Sequence, residues 1–140
     1  MEQKQPFNWP IRIYYEDTDV SGVVYHANYL RYFERARTEW LRALGYSQER
    51  LMNDLDIAFT IASVHVNYRL PAKLDDELLV QLEVVRAGRA SLVFAERLVP
   101  AGDPNTVLAD GEFRAACIRA SDFRPVAIPG DVLEEIKSVC

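Results

Sequence analysis

Three carboxylates stand within four residues near the start of this 140-residue chain, at Glu16, Asp17 and Asp19, and His26 follows soon after. Carboxylates this close to one another raise a neighbour's pKa, which suits one of them to acid–base chemistry. His26 falls at the first turn of a predicted helix, where free backbone N–H groups and the helix dipole favour negative charge. A carboxylate facing such N–H groups is suited to acyl transfer, because the N–H groups polarise a carbonyl while the carboxylate attacks it or activates water.

The same residues also have simpler interpretations. Acidic side chains in a loop are usually solvated surface, and this is the preferred interpretation of Glu16 and Asp17. Asp19 can equally be a turn residue that bonds its own backbone, and a histidine near a helix start is more often a cap or a core residue. The segment 17–19 offers too few oxygen ligands for a cation cage, so no metal site is predicted.

The elements that must position these residues are predicted from periodicity. Residues 11–15 are predicted to form a short strand that runs into the acidic loop. From about Ala27 to Leu44, apolar residues recur at three- and four-residue steps, which predicts an amphipathic helix stopped by Gly45. A weaker helix is predicted over 47–56, and Asp131 is expected to cap a last helix that ends at Val139. Four further strands are predicted over 61–70, 77–86, 90–99 and 107–119.

This order of elements, a strand, a long helix and then four strands, predicts an α+β protein in which an antiparallel sheet wraps around one central helix. Its length fits one domain over residues 1–140. A composition of 49% hydrophobic and 26% charged residues is that of an ordinary globular protein. The formal net charge of −5 argues against nucleic acid as a partner.

Location is also indicated by composition. Cys117 and Cys140 lie far apart in the sequence, which predicts neither a disulfide framework nor a metal site. The first ten residues lack the basic region and apolar run of a signal peptide. No apolar stretch approaches the ~20 residues that span a bilayer, so no membrane span is expected. The expected location is the cytoplasm.

The segment from Tyr14 to Leu44 resembles the Tol-Pal-associated acyl-CoA thioesterases of the 4-hydroxybenzoyl-CoA thioesterase superfamily. The matching runs are Tyr-Glu-Asp-Thr-Asp at 15–19, Gly-Val-Val-Tyr-His at 22–26, Asn-Tyr at 28–29 and Phe-Glu-Arg-Ala-Arg-Thr-Glu at 33–39. Tyr68, Pro71-Ala72 and Asp75-Asp76 extend the likeness over most of the chain. The resemblance implies the hotdog fold, with five antiparallel strands around a long helix, assembled as a homodimer or homotetramer with active sites at the dimer interface.

The resemblance also assigns site residues. Asp19 matches the family's essential carboxylate, acting as nucleophile or as general base, and Tyr15 and His26 match residues that line the site. The backbone N–H of His26 matches the group that polarises the thioester carbonyl, and we expect Tyr15 to orient the Asp19 carboxylate. The remaining matches are assigned to substrate binding: Gly22, Val23, Tyr25, Asn28, Glu34, Arg89 and Ser91.

Three of these binding residues match positions with particular roles in the superfamily. Glu34 matches a position that contacts the polar end of the acyl group, although Arg37 and Thr38 are alternative partners on its own helix. Arg89 and Ser91 fall where the superfamily places contacts to the nucleotide of CoA, whose phosphates need cations. A structural role is a strong alternative for these cations, because Lys and Arg at strand ends commonly protect sheet edges.

The function implied is hydrolysis of an acyl-CoA to the free acid and CoA, with no cofactor beyond the CoA of the substrate. Two alternatives stay open: a non-catalytic acyl or acyl-carrier binder, and a hotdog dehydratase of 3-hydroxyacyl thioesters. Ser21 and Val20 depart from the small Ala and Gly residues common in the closest relatives, which leaves the acyl chain length undecided. Phe7 and Trp9, in the leading arm, are expected to pack on a partner subunit.

Overall fold

The computed structural model describes residues 6–140 and contains a five-stranded sheet and three α-helices. The strands are β1 (Phe7–Arg12), β2 (Ile57–Tyr68), β3 (Glu77–Ala87), β4 (Ser91–Pro100) and β5 (Ala109–Arg119). The helices are α1 (Asn28–Ala43), α2 (Gln48–Leu55) and α3 (Gly130–Ser138), and a 3₁₀ turn covers Tyr15–Asp17. All neighbouring strands are antiparallel, in the order β1-β3-β4-β5-β2.

Helix α1 forms because its apolar side chains recur with the helical period. Tyr29, Phe33, Ala36 and Trp40 are all buried and share one face. That face packs on the sheet, where the Phe33 ring lies 5.2 Å from Phe113 and the Trp40 ring lies 5.3 Å from Phe94. The sheet wrapped on α1 is the hotdog arrangement, so the predicted fold class is confirmed.

The ends of α1 and α2 follow from local chemistry. Gly45 takes a φ of 99° after the last turn of α1, which a residue with a side chain rarely adopts. Ser47 caps α2, because its side chain accepts a hydrogen bond from the Arg50 N–H at 3.1 Å. Both helices lie where the sequence predicts them.

The first strand was predicted over 11–15, and this prediction is wrong: β1 is Phe7–Arg12. Pro10 argues against a strand in the sequence, because proline has no backbone N–H to donate to a neighbouring strand and is confined to sheet edges. β1 is an edge strand, paired only with β3, so Pro10 is tolerated opposite Leu79. The residues that follow turn into the 3₁₀ segment instead of continuing the sheet.

The leading arm also packs within its own chain. Phe7 and Trp9 belong to β1 and pack against the core of their own chain, with their rings stacked at 6.4 Å. They are half-buried without any second subunit. Both side chains keep some exposed surface, so the expectation that they also pack on a partner subunit stays a prediction.

Two further boundaries are corrected. β2 starts at Ile57, four residues before its predicted start, and its first residue pairs with Arg119 of β5. The last helix is capped by Pro129 without a side-chain hydrogen bond, and Asp131 lies inside the first turn. An acidic residue in the first turn interacts favourably with the helix dipole, so Asp131 marks the start of this helix in the sequence although it is not the N-cap residue.

Strand β2 forms the second edge of the sheet, and most of its length is exposed to solvent. It has 12 residues, and most of them are exposed. The exposed apolar side chains include Ile61, Val64 and Tyr68, at 39%, 46% and 48% of full exposure. A long edge strand with apolar side chains is a surface on which another chain can pair.

Candidate active site

The acidic loop is shaped by a tight turn between two short paired segments. Thr18 pairs with Val24 in an antiparallel bridge, and the Asp19 N–H donates to the Val23 carbonyl at 2.9 Å. The Gly22 N–H donates back to the Asp19 carbonyl at 3.1 Å, which closes the turn. Gly22 has a φ of 81°, so the turn requires a residue that adopts this conformation without strain. The loop therefore has one defined shape.

This turn fixes the Asp19 carboxylate by one of its two oxygens. The Ser21 backbone N–H donates to Asp19 Oδ1 at 2.8 Å, and the Ser21 hydroxyl donates to the same oxygen. The hydrogen bond from the Ser21 side chain lowers the Asp19 pKa below its usual value, with smaller lowering effects from the Ser21 N–H and from His26. Asp19 is thus ionised at neutral pH, and its Oδ2 has no hydrogen-bond donor among residues 6–140.

The approach to α1 leaves two backbone donors unused. The Asn28 N–H donates to the Tyr25 carbonyl at 2.9 Å and the Leu30 N–H donates to the Ala27 carbonyl at 3.3 Å. Within the described part of the chain, the N–H groups of His26 and Ala27 find no acceptor. Free N–H groups at a helix start form a natural site for a developing oxyanion.

Asp17 holds the loop against the helix through its backbone carbonyl. That carbonyl accepts both the Tyr25 N–H at 3.0 Å and the buried Asn28 side-chain amide at 2.9 Å. Its carboxylate accepts the Tyr14 N–H at 2.8 Å. Asn28, predicted to bind substrate, is therefore a buried residue that ties the helix to the acidic loop in this structure.

Two tyrosines complete the framework, and the sequence pattern did not assign either a role in the site. Tyr68, at the end of β2, donates its hydroxyl to the His26 carbonyl at 3.0 Å. Its ring also lies 5.2 Å from the ring of Tyr29, whose hydroxyl accepts the Ala72 N–H at 3.0 Å. In the sequence, the match of Tyr68 to the family motif was the available sign of a role in the site. Its pairing with His26 could not be predicted, because the two residues are 42 positions apart in the chain.

The structure brings together most of the residues predicted for the acidic loop. Gly22, Val23 and Tyr25 lie in the loop beside Asp19, and the Tyr25 and His26 rings are 4.5 Å apart. Tyr15 is different: its side chain is 83% exposed, and the Asp19 carboxylate is held by Ser21. The predicted orienting role of Tyr15 is therefore taken by Ser21.

The predicted nucleotide contacts are not near this loop in the same chain. The loop lies at the start of β3, where Val23 bridges to Lys73, whereas Arg89 and Ser91 flank the turn that follows the end of β3. Ten residue steps of extended strand separate these ends by about 33 Å. One chain therefore does not bring Arg89 and Ser91 to Asp19.

Glu34 lies on α1 and lines a cavity of about 310 Å³ between this helix and strands β2, β4 and β5. It does not anchor either neighbour on its own helix. Arg37 instead pairs with the buried Glu96 of β4 at 2.7 Å, and Thr38 accepts a hydrogen bond from Gln48 at 3.2 Å. The alternative expectation for Glu34 is therefore wrong.

Two absences among the described residues bear on the class of site. Residues 6–140 contain no group of three or more His, Cys, Asp or Glu side chains placed to hold a metal ion. The helices found over the same residues are too short or too polar to cross a membrane. The described residues offer an ionised carboxylate, unpaired N–H groups and, further along α1, a cavity.

The architecture places this chain in the class of hotdog-fold proteins. A model of the thioesterase-like superfamily matches residues 14–136, and the chain belongs to this superfamily. The acyl-CoA thioester hydrolase YbgC of Escherichia coli is 44% identical over 94% of this chain and 96% of its own length. The acyl-CoA thioesterase YbgC of Haemophilus influenzae is 43% identical over 90% of each chain.

Solved structures agree with this assignment. A probable thioesterase from Bartonella henselae superposes with a TM-score of 0.81 at 29% identity, covering 87% of this chain and 98% of that chain. The fold is thus shared over nearly the whole length of a related protein.

Proposed function

We propose that the protein hydrolyses the thioester of an acyl-CoA to a free acid and CoA. The observation that carries this proposal is the Asp19 carboxylate, held by Ser21 through one oxygen in a loop whose backbone is hydrogen-bonded to the residues that lead into α1, where two N–H groups are unpaired among the described residues. Both YbgC relatives bear the name of an acyl-CoA thioester hydrolase or thioesterase, which supports the same reaction.

In the proposed reaction the thioester carbonyl oxygen accepts the His26 N–H. As the carbonyl carbon is attacked, negative charge develops on this oxygen and the N–H stabilises it. Asp19 Oδ2 either attacks the carbon, giving a mixed anhydride that water then cleaves, or takes a proton from an attacking water. In both cases the C–S bond breaks, CoA leaves as the thiolate and takes up a proton, and water supplies the oxygen of the acid.

Other residues have supporting roles in this proposal. The His26 ring is close enough to Asp19 to lower the pKa of that carboxyl group, and in this proposal it holds water or the leaving sulfur. Tyr68 fixes the His26 carbonyl and so sets the direction of the neighbouring peptide groups. Tyr15 stands exposed at the rim of the loop, where it contributes to the wall of the site once substrate or a second subunit covers it.

The proposed assembly is a homodimer or homotetramer acting in the cytoplasm. The open edge of β2 supports pairing with a second copy, because its backbone groups and exposed apolar side chains lack a partner in one chain. An antiparallel second copy also supplies Arg89 and Ser91 for the phosphates of CoA, since one chain holds them about 33 Å from its own acidic loop.

The test is thiol release from acyl-CoA substrates, followed with a chromogenic disulfide across pH 3.5 to 8. We expect release without any change in enoyl absorbance, which separates a hydrolase from a dehydratase, whereas a binder releases no thiol. Because the Ser21 hydrogen bonds lower the Asp19 pKa, the fall of kcat/KM in acid should come at a lower pH than the ordinary aspartate pKa of 3.8 would give.

The Ser21→Ala variant sharpens this test. It removes the hydroxyl donor and keeps the backbone donor, so the Asp19 pKa rises and the acid limb of the pH profile moves to higher pH. Ser21→Thr keeps a hydroxyl and should restore the wild-type profile. An acid limb at the same pH in all three proteins would contradict the assignment of Asp19.

A further inference from the structure

Two neighbouring peptide groups at the start of α1 are fixed by hydrogen bonds on their carbonyl sides. The Tyr25 carbonyl accepts the Asn28 N–H at 2.9 Å. The His26 carbonyl accepts two donors, the Tyr29 N–H at 3.4 Å and the Tyr68 hydroxyl at 3.0 Å. Because the Asn28 and Tyr29 donors belong to α1, both carbonyls point towards the body of the helix.

The N–H groups of these two peptides must point the opposite way. A trans peptide is planar and directs its N–H and C=O groups to opposite sides, and residues 6–140 contain no cis peptide bond. The peptide with the Tyr25 carbonyl carries the His26 N–H, and the peptide with the His26 carbonyl carries the Ala27 N–H. Both N–H groups are therefore directed out of the helix start, where neither finds an acceptor among the described residues.

Tyr68 differs from the other donors because it belongs to a different element. It is the last residue of β2, and its ring lies 6.1 Å from the His26 ring and 5.2 Å from the Tyr29 ring. A hydrogen bond to a peptide carbonyl holds the plane of that peptide and polarises it, so the N–H on the other side becomes a stronger donor. Since the Tyr68 hydroxyl bonds to the His26 carbonyl, the N–H that it strengthens is that of Ala27.

We propose that the Ala27 N–H is a second donor to the thioester carbonyl oxygen, and that Tyr68 is a positioning residue that aims and strengthens it. The inference rests on the proposed function, in which the His26 N–H is the first donor. A carbonyl oxygen has two lone pairs, and two N–H groups directed to the same side occupy both. Because the protein already holds both donors in place, they need no reorganisation when negative charge develops on the oxygen.

The kinetic test uses Tyr68→Phe, which removes the hydroxyl and keeps the ring. With butyryl-, decanoyl- and benzoyl-CoA we expect kcat for thiol release to fall about 3- to 10-fold, the range of one net hydrogen bond. KM should stay within about twofold, because the lost interaction strengthens in the transition state. Tyr46→Phe is the matched control, since Tyr46 is half-buried just beyond the other end of α1, and its kcat should equal that of the wild type.

Spectroscopy separates positioning from a purely structural role of Tyr68. The Asp19→Asn protein slows turnover, so infrared difference spectra can record the same three acyl-CoAs while bound, each labelled with ¹³C at the thioester carbonyl. The bound C=O stretch should lie at a lower frequency than in water, and Tyr68→Phe in the same background should reduce this lowering. In ¹⁵N-labelled Asp19→Asn protein, the amide protons of His26 and Ala27 should both move downfield on binding.

The outcomes distinguish this inference from the proposed function. An Ala27 amide proton that stays in place while that of His26 moves would leave a single donor and overturn the inference. A lower melting temperature of Tyr68→Phe with kcat and the carbonyl frequency unchanged would give Tyr68 a structural role only, and would overturn it as well. If the wild type releases no thiol, the proposed function fails, whereas a bound carbonyl that shifts both amide protons still supports the pair of donors.

Discussion

Replacing Asp19 by Asn should lower kcat for thiol release by about 10²–10⁴-fold. Asn keeps the side-chain oxygen that accepts from Ser21, so the turn and its hydrogen bonds are preserved. It removes the negative charge and the basicity of the second oxygen, Oδ2, which accepts no hydrogen bond from the residues that the structure describes. The loss should therefore appear in kcat, with little change in melting temperature.

Glu16→Gln is the matched control for this variant. Glu16 is an exposed carboxylate three residues earlier in the same loop. Its replacement changes the local charge by the same amount and should leave kcat within about twofold, because surface substitutions away from special features have small effects. Turnover of Asp19→Asn that matches that of Glu16→Gln would remove Asp19 from the reaction.

The second large effect concerns stability and the ion pair between α1 and β4. The Glu96 side chain is fully buried, the Arg37 side chain is 13% exposed, and Glu96 Oε1 has no hydrogen-bond partner within residues 6–140. Arg37→Met leaves the buried Glu96 carboxyl group without its hydrogen-bond partner, which should cost about 1–3 kcal/mol in the free energy of unfolding at pH 8. Chemical denaturation measures this loss, and Arg31→Met, at an exposed position of the same helix, should stay within about 0.5 kcal/mol.

The pH dependence of stability follows from the same carboxyl group. Burial raises the pKa of Glu96 to about 8, from an ordinary value of 4.5. The folded protein therefore binds one more proton than the unfolded chain between these values, and stability falls as the pH rises from about 4.5 to about 8. Glu96→Gln should flatten this dependence, and Arg37→Met/Glu96→Gln should recover most of the stability lost in Arg37→Met. An Arg37→Met protein as stable as the wild type at pH 8 would contradict this view of the core.

The helix and the acidic loop were predictable because their signals are local. Tyr29, Phe33, Ala36 and Trp40 show the helical period directly, and the run from Tyr15 to His26 carries the family motif. The start of β1 was missed because Pro10 argues against a strand, and only the sheet order reveals that this proline lies on an edge.

The interactions that shape the site were harder to predict, for two different reasons. The Ser21 hydrogen bonds to Asp19 are local in sequence, but they depend on the turn that Gly22 permits, and Ser21 departs from the family pattern. Tyr68 with His26 and Arg37 with Glu96 are 42 and 59 residues apart. Such pairs follow from strand register and from the packing of α1 on the sheet, which no periodicity in the sequence specifies.

The position of a bound substrate carbonyl is the most direct test of the proposed reaction. In a crystal structure with an acyl-CoA analogue that has a methylene group in place of the sulfur, we expect the carbonyl oxygen about 3 Å from the His26 backbone nitrogen. Asp19 Oδ2 should face the carbonyl carbon, directly or through one water. An analogue bound with its carbonyl remote from both groups, in every subunit, would contradict the proposed reaction.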